Sequence, residues 1–367
     1  MKIGIPKEIK NHEYRVGLTP PSVAELSTAG HEVIVQTEAG IGIDFSDSDY
    51  VEAGARIVAN AADVFAQADM IVKVKEPQAQ EIAMLEPRHL LFTYLHLAPD
   101  PEQAKGLMAS GATCIAYETV TARDGSLPLL KPMSEVAGRM SVQVGAHYLE
   151  KEQGGRGVLL GGVPGVAPAR VAILGGGVSG VNAAQMAVGM RADVTIYDIS
   201  NARLAELDMF FGSQIKTAYA SKAAIAAAVS KAHLVIGAVL VPGAAAPKLV
   251  TREMLKTMKR GSVLVDIAID QGGCFESSHA TTHDNPVFVE EGIIHYCVAN
   301  MPGAVARTSA FALNNATLPF ALKLANLGAV AAMKADPHLA NGLNVSGGKI
   351  RHQAVAEALG LPFEATG

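Results

Sequence analysis

The chain has 367 residues, of which 49% are hydrophobic and 18% charged, and its formal net charge is -5. This length predicts two domains, and the composition is that of a globular protein rather than a disordered or fibrous one. The acidic balance argues against nucleic-acid binding. The start of the chain, MKIGIPKEIKNHEYRV, lacks the apolar core of a signal peptide.

Neither a membrane segment nor a metal motif is visible. The longest apolar run, near Leu234–Pro247, is broken by glycine and proline and is shorter than the ~20 residues that span a bilayer. His279 and His283 lie in a predicted loop, and no CxxC or HExxH occurs, so we expect no metal. The cysteines are odd in number and far apart, which predicts a reducing compartment and a cytoplasmic protein. They are Cys114, Cys274 and Cys297.

Up to about Leu130 the chain alternates short β-type runs with helical patterns. The predicted strands are Ile3–Ile5, Glu32–Val35, Met70–Val74, Leu90–Tyr94 and Thr113–Tyr117. Helical patterns lie between them, for example over Pro21–Ala29 and Pro101–Ala109. This rhythm predicts a parallel sheet covered by helices on both faces.

A long helix is predicted next, with Ser134 as its N-cap and an end near Lys151, before a Gly- and Pro-rich loop over Gly157–Pro168. A second alternating series follows. Its predicted strands are Arg170–Leu174, Asp193–Tyr197, Gln214–Thr217, His233–Ile236, Ser262–Ile267 and Ile293–Val298. From Arg307 onward the pattern is helical without a further strand, and Ala312–Ala325 is predicted as a second long helix.

These patterns predict an α/β protein with two doubly wound Rossmann-like domains, each with a parallel sheet, joined by long helices. One domain is discontinuous and consists of residues 1–130 and 307–367. The other comprises residues 131–306.

The strongest local motif is the GxGxxG formed by Gly175, Gly177 and Gly180. It follows the predicted strand Arg170–Leu174 and opens a predicted helix, Val178–Met190. The first glycine permits a tight turn, the second lets the backbone approach a pyrophosphate, and the third lets the helix pack closely on the strand. The helix N-terminus then faces the anion, so the setting predicts a dinucleotide site rather than a glycine-rich turn that binds nothing.

Asp198 ends the next predicted strand, about 20 residues after the motif, where a carboxylate can accept the ribose hydroxyls of the adenosine half. A 2′-phosphate would meet that carboxylate as a like charge, so the cofactor is predicted to be NAD rather than NADP. Arg203 leaves NADP open, because its guanidinium can pair with a phosphate. Residues 131–306 are therefore predicted to bind NAD, and the discontinuous domain to bind the substrate.

A nicotinamide enzyme that acts on a small acid needs a cation for the carboxylate and an acid/base for the proton. Lys75 and His96 each follow a predicted strand, at the edge where doubly wound sheets bind ligands, and Arg15 lies in a polar loop. Arg15 offers a planar fork for a carboxylate. Loop cations are usually surface charges and a lone histidine is usually structural, so these residues alone leave both interpretations open.

Several longer segments are specific in combination. They are Ile5–Glu8, Glu13–Val16, Val72–Pro77, Leu95–Leu97, Pro132–Arg139, Gly161–Gly165, Val239–Gly243, Val265–Cys274 and Cys297–Pro302. With them, essentially the whole chain resembles the alanine dehydrogenases, a family that also includes the nucleotide-binding subunit of proton-pumping transhydrogenase.

The resemblance implies Arg15 and Lys75 as ligands of the substrate carboxylate and carbonyl, His96 as general acid/base and Asp270 as the second ionisable group. It also implies a set of cofactor contacts. These are Ser134, Asp198 and Arg203, with Val239, Ile267, Asn300 and Met301 on the nicotinamide side. The chain departs from the family pattern at Ala220, where a serine often contacts the adenine end, and this departure predicts a lower cofactor affinity.

The implied reaction is the NAD-dependent oxidative deamination of L-alanine to pyruvate and ammonia, and its reverse. Two acid/base groups exceed what a simple alcohol oxidation needs, which favours amine chemistry. Family members of this type assemble as hexamers, so we expect a homo-oligomer that binds small molecules only, without nucleic acid or membrane.

Three alternatives stay open. The first is an NAD(H)-binding transhydrogenase-type subunit, against which Asp270 argues because such subunits typically carry Glu there. The second is a regulator that senses the dinucleotide without catalysis, against which the presence of Lys75, His96 and Asp270 argues. The third is a related opine-forming or lysine-pathway dehydrogenase, which its substrates would distinguish.

Overall fold

The computed structural model describes residues 1–239 and 246–365, so residues 240–243 of the family-like segment that begins at Val239 lie outside the described residues. Two compact units divide the chain: Met1–Met133 with Gly303–Gly367, and Ser134–Pro302. The sequence predicts the divisions after residues 130 and 306.

Strands and helices alternate along much of the described chain. The first stretch contains β1 (Lys2–Ile5), α1 (Pro20–Thr28), β2 (Glu32–Gln36), α2 (Asp47–Glu52), β3 (Ala55–Val58), α3 (Ala61–Gln67), β4 (Met70–Val72), α4 (Ala79–Ile82), β5 (Leu90–Thr93), α5 (Pro101–Ser110) and β6 (Thr113–Ala116). The middle stretch contains α6 (Lys131–Tyr148), β7 (Arg170–Leu174), α7 (Val178–Gly189), β8 (Asp193–Asp198), α8 (Asn201–Phe211), β9 (Lys216–Tyr219), α9 (Lys222–Val229), β10 (Leu234–Gly237), α10 (Arg252–Leu255), β11 (Val263–Asp266), β12 (Val287–Glu290) and β13 (Ile293–Tyr296). The last stretch contains α11 (Ala306–Leu327), α12 (Ala329–Ala335), α13 (Pro337–Ala340), β14 (Leu343–Ser346), β15 (Lys349–Ile350) and α14 (Gln353–Leu359).

The first unit is built on an eight-stranded sheet with the order β15-β14-β6-β5-β4-β1-β2-β3. Within the set β1 to β6, all neighbouring strands pair in parallel. Only the pairings of β14 with β6 and of β15 with β14 are antiparallel in this sheet as described. Parallel strands end at the same edge, so the segments that follow β1, β4, β5 and β6 come together there.

The second unit is built on a seven-stranded sheet with the order β12-β13-β11-β10-β7-β8-β9. Its strands pair in parallel except for β12, which runs antiparallel to β13. The prediction of two α/β units with mostly parallel sheets is confirmed. Helix α6 begins in the first unit and continues into the second, whereas the second long helix, α11, lies entirely within the first unit.

The central strands are continuous apolar runs because helices cover both faces of each sheet. Met70, Ile71 and Val72 in β4 are fully buried. Local signals place the helices between them. In α5, for example, the Asp100 side chain accepts a hydrogen bond from the Gln103 amide, and Pro101 occupies the first turn, where no amide hydrogen is needed.

The prediction that no strand follows Arg307 is wrong. Strands β14 and β15 form a hairpin whose two-residue turn is Gly347-Gly348, with φ of 58° and 77°. Both turn residues have positive φ, which a type I′ hairpin requires and which glycine adopts without strain. Strand β14 pairs with β6, and β15 forms the outer edge of the first sheet. The signal that the prediction missed was a short apolar run next to a Gly-Gly pair.

Ser134 is not the N-cap of the long helix, because α6 begins at Lys131. Pro132 fits the first turn of a helix and does not have to precede it. The predicted strand at Gln214–Thr217 is displaced, since Gln214 ends a 3-10 helix and β9 begins at Lys216. Strands β3 and β12 were not predicted, because both lie at sheet edges and are only partly buried.

Within the described residues, no single helix is both long and apolar enough to cross a membrane. One pair of consecutive segments reaches that length and apolar character only when both are counted together, and the two are bent by 118°: Met301–Leu327 and Ala329–Ala335. The three cysteines are buried free thiols.

Candidate active site

The carboxyl edge of the first sheet gathers the predicted substrate residues. Arg15 lies in the segment after β1, Lys75 follows β4, and His96 follows β5. Glu118, which the sequence analysis did not identify, lies after β6 in the 3-10 helix Tyr117–Thr119. Because these strands are parallel neighbours, the four side chains come from adjacent positions along one edge.

Arg15 is held in a fork by Glu13. Its Nε donates to Glu13 Oε1 at 2.7 Å, and its Nη2 donates to Glu13 Oε2 at 2.6 Å. Both side chains are buried, and Arg15 Nη1 lies 3.0 Å from the Met133 sulfur. Burial alone would lower the pKa of Arg15, but the Glu13 carboxylate raises it above its ordinary value, so the guanidinium stays charged. One edge of the guanidinium is therefore fixed by the protein itself.

A fully buried lysine, Lys73, lies next to this pair. Its Nζ is 2.9 Å from Glu8 Oε2 and 2.8 Å from Glu81 Oε1. Burial favours the neutral amine, but the two carboxylates outweigh it and raise the pKa of Lys73. Burial raises the pKa of Glu8 despite Lys73. Glu8 also accepts the Val74 amide at 2.7 Å, so this ion cluster ties the segment after β1 to the segment after β4.

Lys75 is buried at its stem, and its carbonyl accepts the Thr93 hydroxyl at 3.0 Å. Within residues 1–239 and 246–365 its ammonium makes no hydrogen bond. The adjacent Glu76 carboxylate binds Lys10 instead. Burial raises the pKa of Glu76, but the charges of Lys75 and Lys10 bring it below its ordinary value. The Lys75 ammonium is therefore not occupied by a hydrogen bond to any of the described residues.

His96 has a backbone φ of 48°, a conformation that is uncommon outside glycine. Its amide donates to Glu118 Oε1 at 2.6 Å, and its Nδ1 lies 4.0 Å from the same oxygen. The imidazole stacks on the Tyr94 ring, with 5.6 Å between centroids and 9° between planes. Its side chain is 38% exposed, so one face of the ring is available to a substrate.

The carboxyl edge of the second sheet carries the glycine motif between β7 and α7. Gly175 has φ of 106°, and a Cβ at Gly180 would lie 1.9 Å from the Gly175 carbonyl oxygen. These two glycines are required by the protein itself. Gly177 differs: its φ is -70°, and a Cβ there would meet nothing within 4 Å among the described residues. The space in front of Gly177 therefore fits a group that approaches the backbone, such as a pyrophosphate.

Helix α7 begins at Val178 directly after this open position. In the described chain its N-terminus has no side-chain cap and no acidic residue in the first turn. The helix dipole and the amide groups of this turn favour a bound anion. The residues present thus fit the phosphate part of a dinucleotide.

Asp198, the last residue of β8, is fixed by two amides. Its Oδ2 accepts the Gly176 amide at 2.7 Å, and its Oδ1 accepts the Ser200 amide at 2.8 Å. Arg203 binds the same turn, where its Nε donates to the Gly176 carbonyl at 2.7 Å, while its Nη1 donates to Glu206 at 2.6 Å. Asp198 and Arg203 therefore shape the glycine turn as well as flanking it.

The remaining predicted cofactor residues follow neighbouring strands or lie in α6. Val239 follows β10, Ile267 and the exposed Asp270 lie in the 3-10 helix Ile267–Gln271 after β11, and Ser134 lies in the first turn of α6. Asn300 and Met301 follow β13.

Asn300 has φ of 62°, and its carbonyl lies 3.2 Å from His283 Nε2. His279 stacks on Phe288, with centroids 3.7 Å apart. In the part of the chain that the structure describes, no group of His, Cys, Asp and Glu is arranged to hold a metal.

The backbone of Ala220 pairs with Asp198, one of the predicted cofactor residues. Its amide donates to the Asp198 carbonyl at 3.0 Å, and the next residue, Ser221, caps helix α9. The predicted effect of Ala220 on cofactor affinity stays a prediction.

Sequence reasoning gave no role to Glu13, Glu118 or the Glu8–Lys73–Glu81 cluster. A signal for the cluster was present, because Lys73 interrupts an apolar strand and a buried lysine requires an acidic partner. No local signal identified Glu118, since its contacts to Leu95 and His96 depend on the pairing of β5 with β6.

Comparisons with known proteins cover nearly the whole chain. Residues 4–137 match the family model described as alanine dehydrogenase/PNT, N-terminal domain, and residues 141–353 match its C-terminal domain. A protein from Halomonas elongata named alanine dehydrogenase is 61% identical over 99% of this chain and 98% of its own length.

Solved structures agree. One named L-alanine dehydrogenase has a TM-score of 0.95 and 54% identity, over 98% of this chain and 99% of that one. A transhydrogenase from Sinorhizobium meliloti has a TM-score of 0.81 and 28% identity, over 96% of this chain and 100% of that one.

Proposed function

The chain belongs to the alanine dehydrogenase/PNT family, and from that premise we propose that it interconverts L-alanine with pyruvate and ammonia, using NAD. The activity rests on full-length similarity to relatives named alanine dehydrogenase. The observation that supports it in this chain is the set of Arg15, Lys75 and His96 along one sheet edge, where two cations and one acid/base suit a small 2-oxo or 2-amino acid.

In this proposal Lys75 and Arg15 bind the substrate. Lys75 supplies a charge with no hydrogen bond inside the described chain, suited to the carboxylate or to the oxygen of the carbonyl. Glu13 holds the Nε and Nη2 atoms of Arg15, which fixes the orientation of the guanidinium that we propose to bind the substrate carboxylate.

His96 and Asp270 are proposed to handle protons in the same reaction. Loss of hydride from the α-carbon of alanine leaves an iminium, to which water adds. An imidazole can take up and return a proton near neutral pH, so His96 removes a proton from that water as its oxygen bonds to the α-carbon and returns the proton to the amine nitrogen as ammonia leaves. Asp270 would hold the ammonium form of the substrate or orient that water. Neither role requires a metal ligand.

The proposed cofactor is NAD. The open position at Gly177 and the N-terminus of α7 suit its pyrophosphate, and Asp198 suits the ribose hydroxyls of the adenosine half. When bound, the nicotinamide supplies the acceptor and donor of hydride. Ser134, Arg203, Val239, Ile267, Asn300 and Met301 are proposed as further contacts.

The assembly and the location are proposals of the same kind. The family resemblance supports a homohexamer, which light scattering of the purified chain would test. Three buried free thiols support a reducing compartment such as the cytoplasm.

The test is formation of NADH from L-alanine and NAD by the purified chain, with pyruvate and ammonia identified as products. The proposal predicts that all three products appear in equal amounts. A chain that forms no NADH from alanine, yet passes hydride from NADH to an NADP-binding partner, would instead be the transhydrogenase-type subunit that the similarity to the Sinorhizobium meliloti protein keeps as the second candidate.

A further inference from the structure

The turn that carries His96 is bound by a single carboxylate. Glu118 Oε1 accepts the His96 amide at 2.6 Å and the Leu95 amide at 3.2 Å, and its Oε2 lies 3.3 Å from the Leu95 amide. On the other side of the turn, the buried Gln103 donates its Nε2 to the Leu95 carbonyl at 2.6 Å. Both polar groups of the Leu95 peptide backbone are therefore fixed by side chains from the segment after β6 and from α5.

This clamp holds a strained residue. The φ of 48° at His96 is disfavoured for a residue with a Cβ, and such conformations persist only where the surroundings enforce them. Two consecutive amides that point at one carboxylate provide that enforcement. Glu118 is mostly buried, with 14% of its side chain exposed, so its carboxylate is not an ordinary surface charge.

The same carboxylate also faces the imidazole. Glu118 Oε1 lies 4.0 Å from His96 Nδ1, which is beyond a hydrogen bond but close enough for a charge interaction. Among the described residues, Tyr94 stacks on the imidazole, His352 interacts with the Glu118 charge, and the charged Arg15 lies near the Tyr94 hydroxyl. Burial raises the pKa of Tyr94 far above its ordinary value, so Tyr94 is neutral. Burial lowers the pKa of His352, although Glu118 opposes this, so His352 is mostly neutral at physiological pH. The negative charge on this side of His96 therefore belongs to Glu118.

We propose that Glu118 is a positioning residue for His96, an inference that rests on the proposed function. Its carboxylate holds the Leu95–His96 turn in the strained conformation and lies on the Nδ1 side of the imidazole. Nε2, the ring nitrogen remote from Glu118, is then the atom that exchanges protons with the substrate. The arrangement has the same logic as a base oriented by a neighbouring carboxylate in other acid/base sites.

The test compares Glu118→Gln, Glu118→Asp and the wild type in the alanine assay. Glu118→Gln keeps an oxygen that accepts the amides but removes the charge that strengthens those hydrogen bonds. We expect kcat to fall at least ~10-fold, while KM for L-alanine changes less than ~3-fold, because the turn that carries His96 is displaced but the substrate-binding cations are not.

Glu118→Asp keeps the charge on a shorter side chain. Its kcat should lie below that of the wild type, because the turn is misplaced, but above that of Glu118→Gln, because a carboxylate still accepts from the backbone amides. Glu86→Gln is the matched control, because Glu86 is exposed and pairs with Arg88 on the surface of the same unit. It should match the wild type in kcat and KM.

An unchanged kcat in Glu118→Gln would overturn the proposal, and a KM for L-alanine that rises as much as kcat falls would overturn the positioning role. If Glu118→Gln fails to fold by circular dichroism, Glu118→Asp decides: a wild-type kcat in that variant would contradict positioning. A wild-type chain without alanine-dependent NADH formation would overturn the proposed function itself, so the two failures are distinguishable.

Discussion

The carboxyl edges of the two sheets are built in opposite ways. At the edge of the first sheet, charged side chains are buried and paired with one another, as in Arg15 with Glu13 and Lys73 with Glu8. At the edge of the second sheet, the backbone dominates, with a glycine turn, the N-terminus of α7 and one carboxylate, Asp198, that binds amides. A cofactor with phosphates can be held by backbone amides, whereas proton transfer and carboxylate recognition need side chains.

The two edges also differ in what holds them in shape. Removing one member of a buried ion pair leaves the other charge without its partner, which costs about 3–5 kcal/mol. Side chains of the first edge such as Arg15 and Lys73 are therefore held by their acidic partners. The glycine turn is fixed instead by backbone shape, because Gly175 and Gly180 leave no room for side chains.

The largest expected effect is on chemistry at the first edge. His96→Ala should lower kcat by ~10²–10⁴, the usual value of a positioned acid/base, while NADH affinity stays within ~2-fold of the wild type. Steady-state rates and fluorescence titration with NADH measure the two quantities. His147→Ala, at an exposed histidine in α6, is the matched control. Parallel loss of turnover and NADH binding in His96→Ala would remove the distinction between the two edges.

Asp270→Asn keeps the shape of the side chain and should cost a similar factor in kcat. If Asp270 and His96 act in one step, the double variant should lose far less than the product of the two single losses. Fully multiplicative losses would mean that the two residues act independently. Normal turnover in Asp270→Asn would exclude Asp270 from the mechanism.

Arg15→Lys sharpens the comparison by keeping the charge and removing the fork. A lysine cannot bind both oxygens of Glu13 as the guanidinium does, so kcat/KM for pyruvate should fall by about 10–100-fold, or about 1.4–2.7 kcal/mol. Arg56→Lys, at an exposed pair with Glu32 in the same unit, should have no effect. A wild-type kcat/KM in Arg15→Lys would show that Arg15 is structural only.

Three glycines of the second unit test the claim that its edge works through the backbone. Gly177→Ala has room in the protein and should weaken NADH binding by about 10-fold without loss of stability. Gly180→Ala should lower the free energy of unfolding by at least ~1–3 kcal/mol, because its Cβ would clash with the Gly175 carbonyl.

Gly189→Ala, at the open end of the same helix, is the control. It should leave NADH binding unchanged and raise stability by up to about 1 kcal/mol. Thermal unfolding and NADH titration separate the three variants. Unchanged NADH affinity in Gly177→Ala would contradict the assignment of the pyrophosphate to this turn.

The smallest expected effect concerns cofactor choice. NAD should be preferred over NADP by at least ~10-fold in kcat/KM, about 1.4 kcal/mol, and Asp198→Ala should narrow that ratio. Because Asp198 also binds the Gly176 amide, the variant should use NAD less well too. Equal kcat/KM with the two cofactors in the wild type would contradict the role of Asp198.

The sequence predicted the backbone edge better than the side-chain edge, for a physical reason. Gly175, Gly177 and Gly180 act within a few residues of one another, so their spacing alone indicates the turn. The pairs at the first edge are assembled from different strands. Glu118 reaches His96 only because β5 and β6 are neighbours, and a single sequence contains no local record of that contact.

The fold followed the same division. Central strands such as β4 were predicted, because continuous burial produces a continuous apolar run. The half-buried edge strands β3 and β12 and the hairpin of β14 with β15 were not, since their patterns are short and only partly apolar. The start of α6 was misplaced because Pro132 is compatible both with a position before a helix and with its first turn.

The most direct test of the account follows the hydrogen that the substrate loses. L-alanine that carries deuterium at its α-carbon is incubated with the purified chain and NAD, and the reduced cofactor is analysed by mass spectrometry and proton NMR. The account predicts one deuterium at the nicotinamide ring carbon that accepts hydride, with one pyruvate and one ammonia formed for each. Reduced cofactor that contains only protium, or pyruvate formed without it, would contradict direct transfer from alanine.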